Sequence, residues 1–289
     1  MLGDCHIHVV LDGISNYRDA MDLHRHGPNE AAVRKILQQY QKAGMHFLRD
    51  GGDKYGASKL AASLAPEYGL QYRTPIFPIY AEGHYGSFIG CGFSDLSSYR
   101  QLVSQVRAQG GHFIKLMLSG LVDFTQYGKL SCEPIAPDTV RQLIHIAHEE
   151  GFAVMAHCNG SQTTQAALSA GVDSLEHGFY LDNETLHQLA ESDTVWVPTV
   201  ATVGNLVQDA RYPQDVTKRI FEEHLWKIST LAGWGGNLAL GSDAGAYLVP
   251  HVQGALDEYD FLKEELGEST DSILQTGEDL LRWKFGALS

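Results

Sequence analysis

The sequence predicts an α/β fold in which eight parallel strands alternate with helices and close into a (β/α)8 TIM barrel. Short apolar runs alternate with helical patterns, and the repeat is roughly 30–36 residues, as a barrel of about 250 residues requires. Ligand-type side chains stand at the ends of five of these runs. An open doubly wound sheet would collect ligands at one switch point, so ligands from five strand ends favour a closed sheet. These side chains are His6 and His8, Lys115, His157, His177 and Asp243.

The elements follow one another as strand, loop and helix. Asn29 is a suitable N-cap for the first helix, and Gly44 stands just past its end. Long loops at 81–94 and 118–136 follow the third and fourth strands, where a barrel carries its site. No linker or charge block interrupts the chain, so we expect one domain over residues 1–289 that ends in helices. The predicted strands are 1–8, 45–50, 70–80, 113–117, 152–157, 172–177, 195–199 and 238–243, and the predicted helices are 30–43, 57–68, 95–109, 138–150, 161–169, 183–191, 214–232, 254–266 and 270–283.

Composition narrows the class of partner. The net charge of −14, from 35 acidic and 21 basic residues, argues against nucleic acid and anionic membranes as partners. The four cysteines form no CxxC pair and fit a reducing compartment better than a disulfide scaffold. Neither a signal-peptide pattern nor an apolar run of about 18 residues is present. We therefore expect a cytoplasmic protein, and its charge does not identify a substrate.

The six ligand-type residues predict a metal site. His6 and His8 are two apart, so both imidazoles point to one face of an extended strand. A His-x-His pair is short and common, but its company here favours metal binding, and imidazole with carboxylate suits zinc. Lys115 alone is more typical of a surface lysine or one paired with an acid. A lysine buried beside a metal can instead be neutral and add carbon dioxide, and the resulting carbamate can bridge two ions.

These residues and motifs resemble the metal-dependent amidohydrolase superfamily, the urease- and dihydroorotase-like barrels. The stretch around Lys115, Glu176-His177-Gly178 and Gly83-His84 is most similar to the imidazolonepropionase and prolidase-like branch. The resemblance implies two divalent ions, with zinc expected, and a carboxylated Lys115 between them. It implies that a hydroxide bridging the ions attacks the substrate, while Asp243 serves as general base and then acid. The residue matching His84 contacts substrate in that branch, so His84 is a candidate oxyanion donor.

The chain departs from that branch in two ways. Cys158 and Asn159 follow the strand 5 histidine, which leaves dipeptidase activity an open question. Relatives usually add a small β-sandwich, and this sequence leaves no room for one, so the bottom of the barrel is expected to lack that cover. Three tryptophans on late helices could cover apolar surface in a homo-oligomer, or could belong to the core. They are Trp226, Trp234 and Trp283.

We therefore expect a hydrolase that cleaves an amide or related C–N or C–O bond of a small molecule: a cyclic amide, an N-acyl amino acid or a dipeptide. One alternative is a mononuclear deaminase of the same superfamily, and another is a non-catalytic barrel that binds a metal or ligand. Asp50 either reaches the site or caps the loop after its strand. Loop residues that could contact substrate are His84, Tyr85, Asn159, Tyr180 and His251.

Overall fold

Parallel strands followed by helices run through the computed structural model, which describes residues 2–286. The strands are β1 (Asp4–Ile7), β2 (Phe47–Asp50), β3 (Gln71–Arg73), β4 (Pro78–Ala81), β5 (Cys91–Phe93), β6 (Ile114–Met117), β7 (Val154–Cys158), β8 (Ser174–His177), β9 (Val195–Val197) and β10 (Asn237–Leu238). The helices are α1 (Tyr17–Asp22), α2 (Glu30–Ala43), α3 (Ala57–Leu64), α4 (Leu96–Ala108), α5 (Pro137–Glu149), α6 (Ser161–Ser169), α7 (Asn183–Ala190), α8 (Ala201–Gly204), α9 (Gln214–Gly233), α10 (Gln253–Leu266) and α11 (Thr270–Lys284). Short 3₁₀ helices cover Ala65–Tyr68 and Gly267–Ser269.

The strands form two parallel sheets that are joined to each other. One sheet has the order β1-β2-β3 and the other the order β10-β9-β8-β7-β6-β4-β5. Strands β3 and β4 belong to one continuous stretch of chain, so the first sheet passes into the second there. At the opposite edges, the Cys5 amide donates to the Leu240 carbonyl at 2.9 Å and the Asp243 amide donates to the His6 carbonyl at 2.8 Å. The predicted α/β fold with parallel strands is thus confirmed, and its sheets are connected at both edges.

Two predicted strands are shorter than expected. The predicted strand 70–80 is broken between β3 and β4, because Pro75 has no N–H and Ile76 adopts a left-handed backbone with φ of 70°. Regular pairing in β10 covers only Asn237 and Leu238, so it ends at the first residue of the predicted strand 238–243. Beyond Leu238 the chain makes single hydrogen bonds to β1 instead of a continuous ladder.

Helix boundaries agree closely with the sequence patterns. The Asn29 side chain accepts a hydrogen bond from the Ala32 amide at 3.1 Å, and Gly44 ends α2 with φ of 73°. The predicted helix 57–68 is α-helical only to Leu64 and continues as a 3₁₀ turn containing Pro66. Helices α1 and α8 and strand β5 were not predicted, because each is too short to show a periodic pattern.

A helix covers the end of the sheets where the strands begin. Leu281 on α11 and Phe285 just after it form a cluster with apolar side chains from the first residues of several strands, among them Cys5, Phe47 and Phe113. The Phe113 and Phe285 rings meet edge to face with centroids 5.1 Å apart. The chain's own last helix covers this end, and the expectation that the β-sandwich of relatives is missing there stays a prediction.

A buried ion pair lies next to this cluster. Arg49 and Glu176 are both fully buried, and Arg49 Nη2 donates to Glu176 Oε1 at 2.8 Å. Arg49 also donates to the Ser174 hydroxyl at 2.6 Å and to the Cys5 carbonyl at 2.7 Å, and its guanidinium lies 4.6 Å from the centre of the Phe285 ring. The pair thus ties β1, β2 and β8 together.

Three exposed tryptophans and the hydropathy of the helices bear on possible partners. Trp226, Trp234 and Trp283 are 50%, 42% and 73% exposed, so they are not core residues, and the homo-oligomer stays a prediction. Across residues 2–286, none of the helices has the length and hydropathy that crossing a membrane requires.

Replacing Arg49 should destabilise the fold strongly. Arg49→Leu leaves the Glu176 carboxylate buried and without its cation, so we expect the free energy of unfolding to fall by about 3–5 kcal/mol. Arg141→Ala is the matched control, because Arg141 pairs with Asp138 at 2.6 Å where the two side chains are 42% and 88% exposed. Its loss should cost under about 1 kcal/mol. Urea unfolding of both variants measures the difference, and equal losses would contradict a structural role for the buried pair.

Candidate metal centre

The predicted ligands meet in one place. All six line a single cavity of about 390 Å³ at the carboxyl ends of the strands. Parallel strands place their carboxyl ends at the same edge, which is why residues distant in sequence converge there. They are His6 and His8 of β1 and the loop after it, Lys115 of β6, His157 of β7, His177 of β8 and Asp243 after β10.

Three of them form a compact donor group. His6 Nε2 lies 3.5 Å from Asp243 Oδ1, and His8 Nε2 lies 3.4 Å from the same oxygen. The donor atoms of these three residues all fall within 4.8 Å of one another. Two imidazoles and a carboxylate at such distances are suited to a common divalent ion.

A second histidine pair lies beside this group. The His157 and His177 rings have centroids 4.4 Å apart, and the His6 ring is 5.1 Å from the His177 ring. Lys115 lines the same cavity and is 1% exposed. The arrangement therefore offers donors for more than one ion, with Lys115 among them.

Neighbouring groups orient the imidazoles. His177 Nδ1 lies 2.8 Å from the Thr199 hydroxyl, which leaves Nε2 for a ligand. His157 Nε2 lies 3.3 Å from the Gly120 carbonyl. His6 Nδ1 is 2.8 Å from Glu176 Oε2, a close contact that is not aligned as a hydrogen bond. Such outer contacts fix the ring orientation of metal-binding histidines.

Burial keeps the four imidazoles neutral. Loss of solvent lowers the pKa of His8 and of His157 to about 3, and the positive charge of Lys115 adds to both effects. The same cause lowers the pKa of His6 and His177 well below the usual value. Burial also lowers the pKa of Lys115 to about 8. Neutral imidazoles can ligate a metal, and an amine with a lowered pKa is more available to add carbon dioxide.

Burial acts on the carboxyl group in the opposite direction. It raises the pKa of Asp243 to about 7, against the opposing effect of the Lys115 charge. A nearby cation favours the carboxylate form, so a bound divalent ion would return this group to its charged state.

The donor atoms fit a metal in a further respect. His6 Nε2, His8 Nδ1 and Lys115 Nζ are buried and have no hydrogen-bond partner among the described residues. Buried polar atoms without partners are costly and rare in native proteins, and each instance calls for an explanation. Metal coordination would account for the imidazole nitrogen of His6, and carboxylation would account for Lys115 Nζ. His8 Nδ1 would need a different hydrogen-bond partner, such as a water molecule.

Backbone strain marks two of the six. His177 has φ of 68° and Asp243 has φ of 59°, in the left-handed region that residues other than glycine rarely adopt. Strain of this kind persists where the surrounding structure enforces it, and it is concentrated at functional sites. His177 is the last residue of β8 and Asp243 lies in the segment after β10, and both side chains line the cavity.

A glycine makes room for the His8 ring. A Cβ atom on Gly51 would lie 2.3 Å from His8 Cε1 and 2.9 Å from His8 Nε2. The Gly51 amide donates to the Ile7 carbonyl at 2.8 Å, so the backbone of Gly51 is fixed at this distance. Only glycine allows the imidazole to occupy that position.

Two of the predicted substrate contacts lie at the cavities. Tyr85 lines the same cavity as the six donors, and its ring centroid is 5.1 Å from that of His157. Asn159 lines an adjoining cavity of about 360 Å³, where its amide group donates to the Gly120 carbonyl at 3.1 Å and accepts from the Phe179 amide at 3.0 Å. Asn159 therefore holds three loops together at the edge of the site.

The other candidates have different surroundings. His84 Nδ1 lies 3.0 Å from the Glu133 carbonyl, and His251 Nε2 lies 2.8 Å from the Leu11 carbonyl. Tyr180 packs against Tyr127, and among the described residues neither it nor the two histidines lines the two large cavities. Their substrate roles stay predictions without a cavity contact to support them. Asp50 accepts from the amides of Val9 and Gly52 and from the Tyr72 hydroxyl, so it caps the loop.

Sequence reasoning did not identify the Arg49–Glu176 pair or the aromatic Tyr247 that lines both cavities. A signal for the pair existed, because a charged residue stands inside each of two apolar strand runs. Tyr247 stands in a loop that carries no pattern of its own.

The amidohydrolase family model matches residues 4–257. The chain belongs to the amidohydrolase family. The resemblance seen in the sequence is confirmed, and members of this superfamily generally use metal ions.

Curated relatives are distant. An uncharacterized protein of Mycobacterium bovis is 27% identical over 159 residues, which are 53% of this chain and 42% of the relative. Ochratoxinase of Aspergillus niger is 25% identical over 177 residues, which are 61% of this chain and 33% of that enzyme. The matched part of this amidohydrolase thus spans less than half the length of these relatives.

Solved structures agree on the fold. A Xaa-Pro dipeptidase with bound methionine in its active site superposes with a TM-score of 0.76 at 18% identity, covering 98% of this chain and 75% of that one. The A. niger ochratoxinase crystal structure superposes with a TM-score of 0.76 at 20% identity, covering 93% of this chain and 68% of that one. At these identities the likeness shows a shared fold.

Gly51→Ala should weaken metal binding. The added methyl group would displace the His8 imidazole, so we expect metal affinity to fall roughly 10–100-fold, as it does when the support of a ligand is disturbed. Gly233→Ala at the end of α9 is the control, because no atom lies within 4 Å of a Cβ placed there. Competition of each variant with a chromogenic chelator measures the affinity. Unchanged affinity in Gly51→Ala would show that His8 is not a ligand.

Proposed function

We propose that this amidohydrolase is a single-domain (β/α)8 barrel and a metal-dependent hydrolase that cleaves an amide or related C–N or C–O bond of a small molecule. The convergence of six ligand-type side chains from five strand ends in one buried cavity carries this proposal. Hydrogen bonds from β1 to the segment after β10 support the closed barrel. A cytoplasmic location also belongs to the proposal.

The donor set divides naturally between two divalent ions, with zinc as the metal that its chemistry suits. His6, His8 and Asp243 would hold one ion, since their donor atoms are already grouped within 4.8 Å. His157 and His177 would hold the other, and the carboxylated Lys115 would contribute one oxygen to each. The buried Lys115 Nζ without a partner supports this assignment.

Bound divalent ions supply Lewis acidity and lower the pKa of water towards neutrality, so hydroxide becomes available at physiological pH. The chain supplies the proton transfers. Asp243 accepts a proton at a carboxylate oxygen during attack and returns it to the leaving nitrogen, which departs as a neutral amine. Tyr85 lies beside His157, and burial raises its pKa, so its hydroxyl stays protonated. It joins His84 as a candidate donor to the developing oxyanion.

The comparisons support the bond class. A dipeptidase and an ochratoxinase share this fold, and both names describe enzymes that act on small molecules. The cavities of about 390 and 360 Å³ are of the size that encloses a small ligand.

Metal content tests the binuclear centre. Elemental analysis of protein purified without chelators should give two divalent ions per chain, and high-resolution electron density should show the carbamate on Lys115. The variant Lys115→Ala should lose one or both ions and regain activity with added short carboxylic acids that replace the carbamate. A firm ratio of one ion, with unmodified Lys115, would favour the mononuclear deaminase alternative.

Asp243→Asn tests the proton transfer. The change keeps the shape of the side chain but removes the base, so turnover should fall roughly 10²–10⁴-fold. Asp260→Asn, at an exposed position on α10, is the matched control and should retain native turnover. Metal content should be measured in parallel, because near-native turnover in a fully loaded Asp243→Asn protein would assign proton transfer to another residue.

A further inference from the structure

Two cavities meet at the metal centre. The first, of about 390 Å³, and the second, of about 360 Å³, share His157, His177 and Asp243 as lining residues. A substrate whose reacting carbonyl lies at these residues therefore has space on both sides of its scissile bond.

Both spaces have apolar walls. Phe88, Ile89 and Met117 line the first cavity, where Ile89 and Met117 are almost fully buried. Phe124, Phe179 and Leu206 line the second, where Phe179 and Leu206 are buried. Each cavity thus favours an apolar group of the size of an aromatic ring, because such a group gains free energy when it leaves water.

Fixed cations are scarce at both cavities. Among residues 2–286, Lys115 is the only lysine or arginine that lines either one, and it stands with the metal ligands. Arg211 stacks on Tyr247 at 3.4 Å, but its guanidinium is paired with Asp209 at 3.1 Å. A substrate carboxylate held away from the reacting carbonyl would lose its hydration and find no guanidinium to replace it. The net charge of −14 further disfavours an anion.

We propose that the substrate is a neutral amide with an apolar group on each side of the scissile bond, and that free N-acyl amino acids and dipeptides are poor substrates. This inference rests on the proposed hydrolase function and narrows its substrate class. In the reaction, the oxygen of water forms a bond to the carbonyl carbon, the C–N bond breaks, and a proton passes to the leaving nitrogen. The products are one apolar carboxylic acid and one apolar amine.

A set of four amides tests both parts of the proposal on the metal-loaded protein. N-benzoyl-2-phenylethylamine is neutral and has two rings, and N-benzoyl-L-phenylalanine differs from it only by a carboxylate. N-acetyl-2-phenylethylamine and N-methylbenzamide each lack one ring. We expect kcat/KM of the neutral two-ring amide to exceed that of the acid by at least about tenfold, and removal of either ring to lower it roughly 10–100-fold.

A variant in the second cavity tests whether each cavity binds one of the two apolar groups of the substrate. Thr202 lines that cavity and is partly buried, so Thr202→Phe places a ring inside it. The change should lower kcat/KM of the two-ring amide at least about tenfold more than that of one of the single-ring amides. Thr230→Phe is the matched control: both hydroxyls donate to a preceding carbonyl at 2.7 Å, and Thr230 lies on the surface of α9. An equal effect of Thr202→Phe on all amides would overturn the two-cavity assignment.

Measuring ligand binding separately from hydrolysis distinguishes an error in the substrate class from an error in the proposed function. Calorimetry with the metal-loaded Asp243→Asn protein should give a lower Kd for the neutral two-ring amide than for the acid. Tighter binding or faster hydrolysis of the acid would overturn the inference and leave the hydrolase intact. If the native protein hydrolyses none of the amides while the binding order holds, the proposed function is wrong and the ligand class stands.

Discussion

The arrangement of the site depends on one buried ion pair. Arg49 contacts the apolar cluster at the beginnings of the strands through Phe285, and Glu176 contacts His6 among the candidate metal ligands. Buried charges require partners, and each hydrogen bond of Arg49 is made to a different strand or to Glu176 itself. The second oxygen of Glu176 lies 2.8 Å from His6 Nδ1. The requirement to pair a charge in the core therefore also fixes which side of the His6 ring faces the cavity.

At the carboxyl ends of the strands, some residues adopt backbone conformations that are locally unfavourable, and these conformations accompany the meeting of the six side chains in one cavity. His177 and Asp243 adopt φ values that cost energy outside glycine, and Gly51 gives up a side chain so that the His8 ring can lie against it. His177 and Asp243 reach the common cavity from a left-handed backbone, whereas the other four candidate ligands reach it without positive φ.

The candidate ligands and most of the helices could be predicted from the sequence. The ligands could be predicted because the carboxyl ends of strands in a parallel sheet share one edge. The positions of His157 and His177 followed from apolar runs that end in a polar residue, and the helices followed from their periodicity and caps. The break at Pro75 and the cover provided by α11 could not be predicted, since both depend on which elements meet in three dimensions. Loop side chains such as His84 and His251 were assigned from position alone, and hydrogen bonds to carbonyl groups now account for their orientation.

The apolar surroundings of the candidate metal centre determine its electrostatics. Burial lowers the pKa of the histidines and of Lys115 and raises that of Asp243, so in each case it shifts the equilibrium towards the neutral form. Divalent ions would reverse that preference, releasing protons as the carboxylate and the carbamate form. Apolar walls on both sides would hold the effective dielectric constant low, so the field of bound ions would act on a substrate carbonyl with little screening. The same walls that disfavour a substrate carboxylate would thus strengthen the interaction on which the proposed hydrolysis depends.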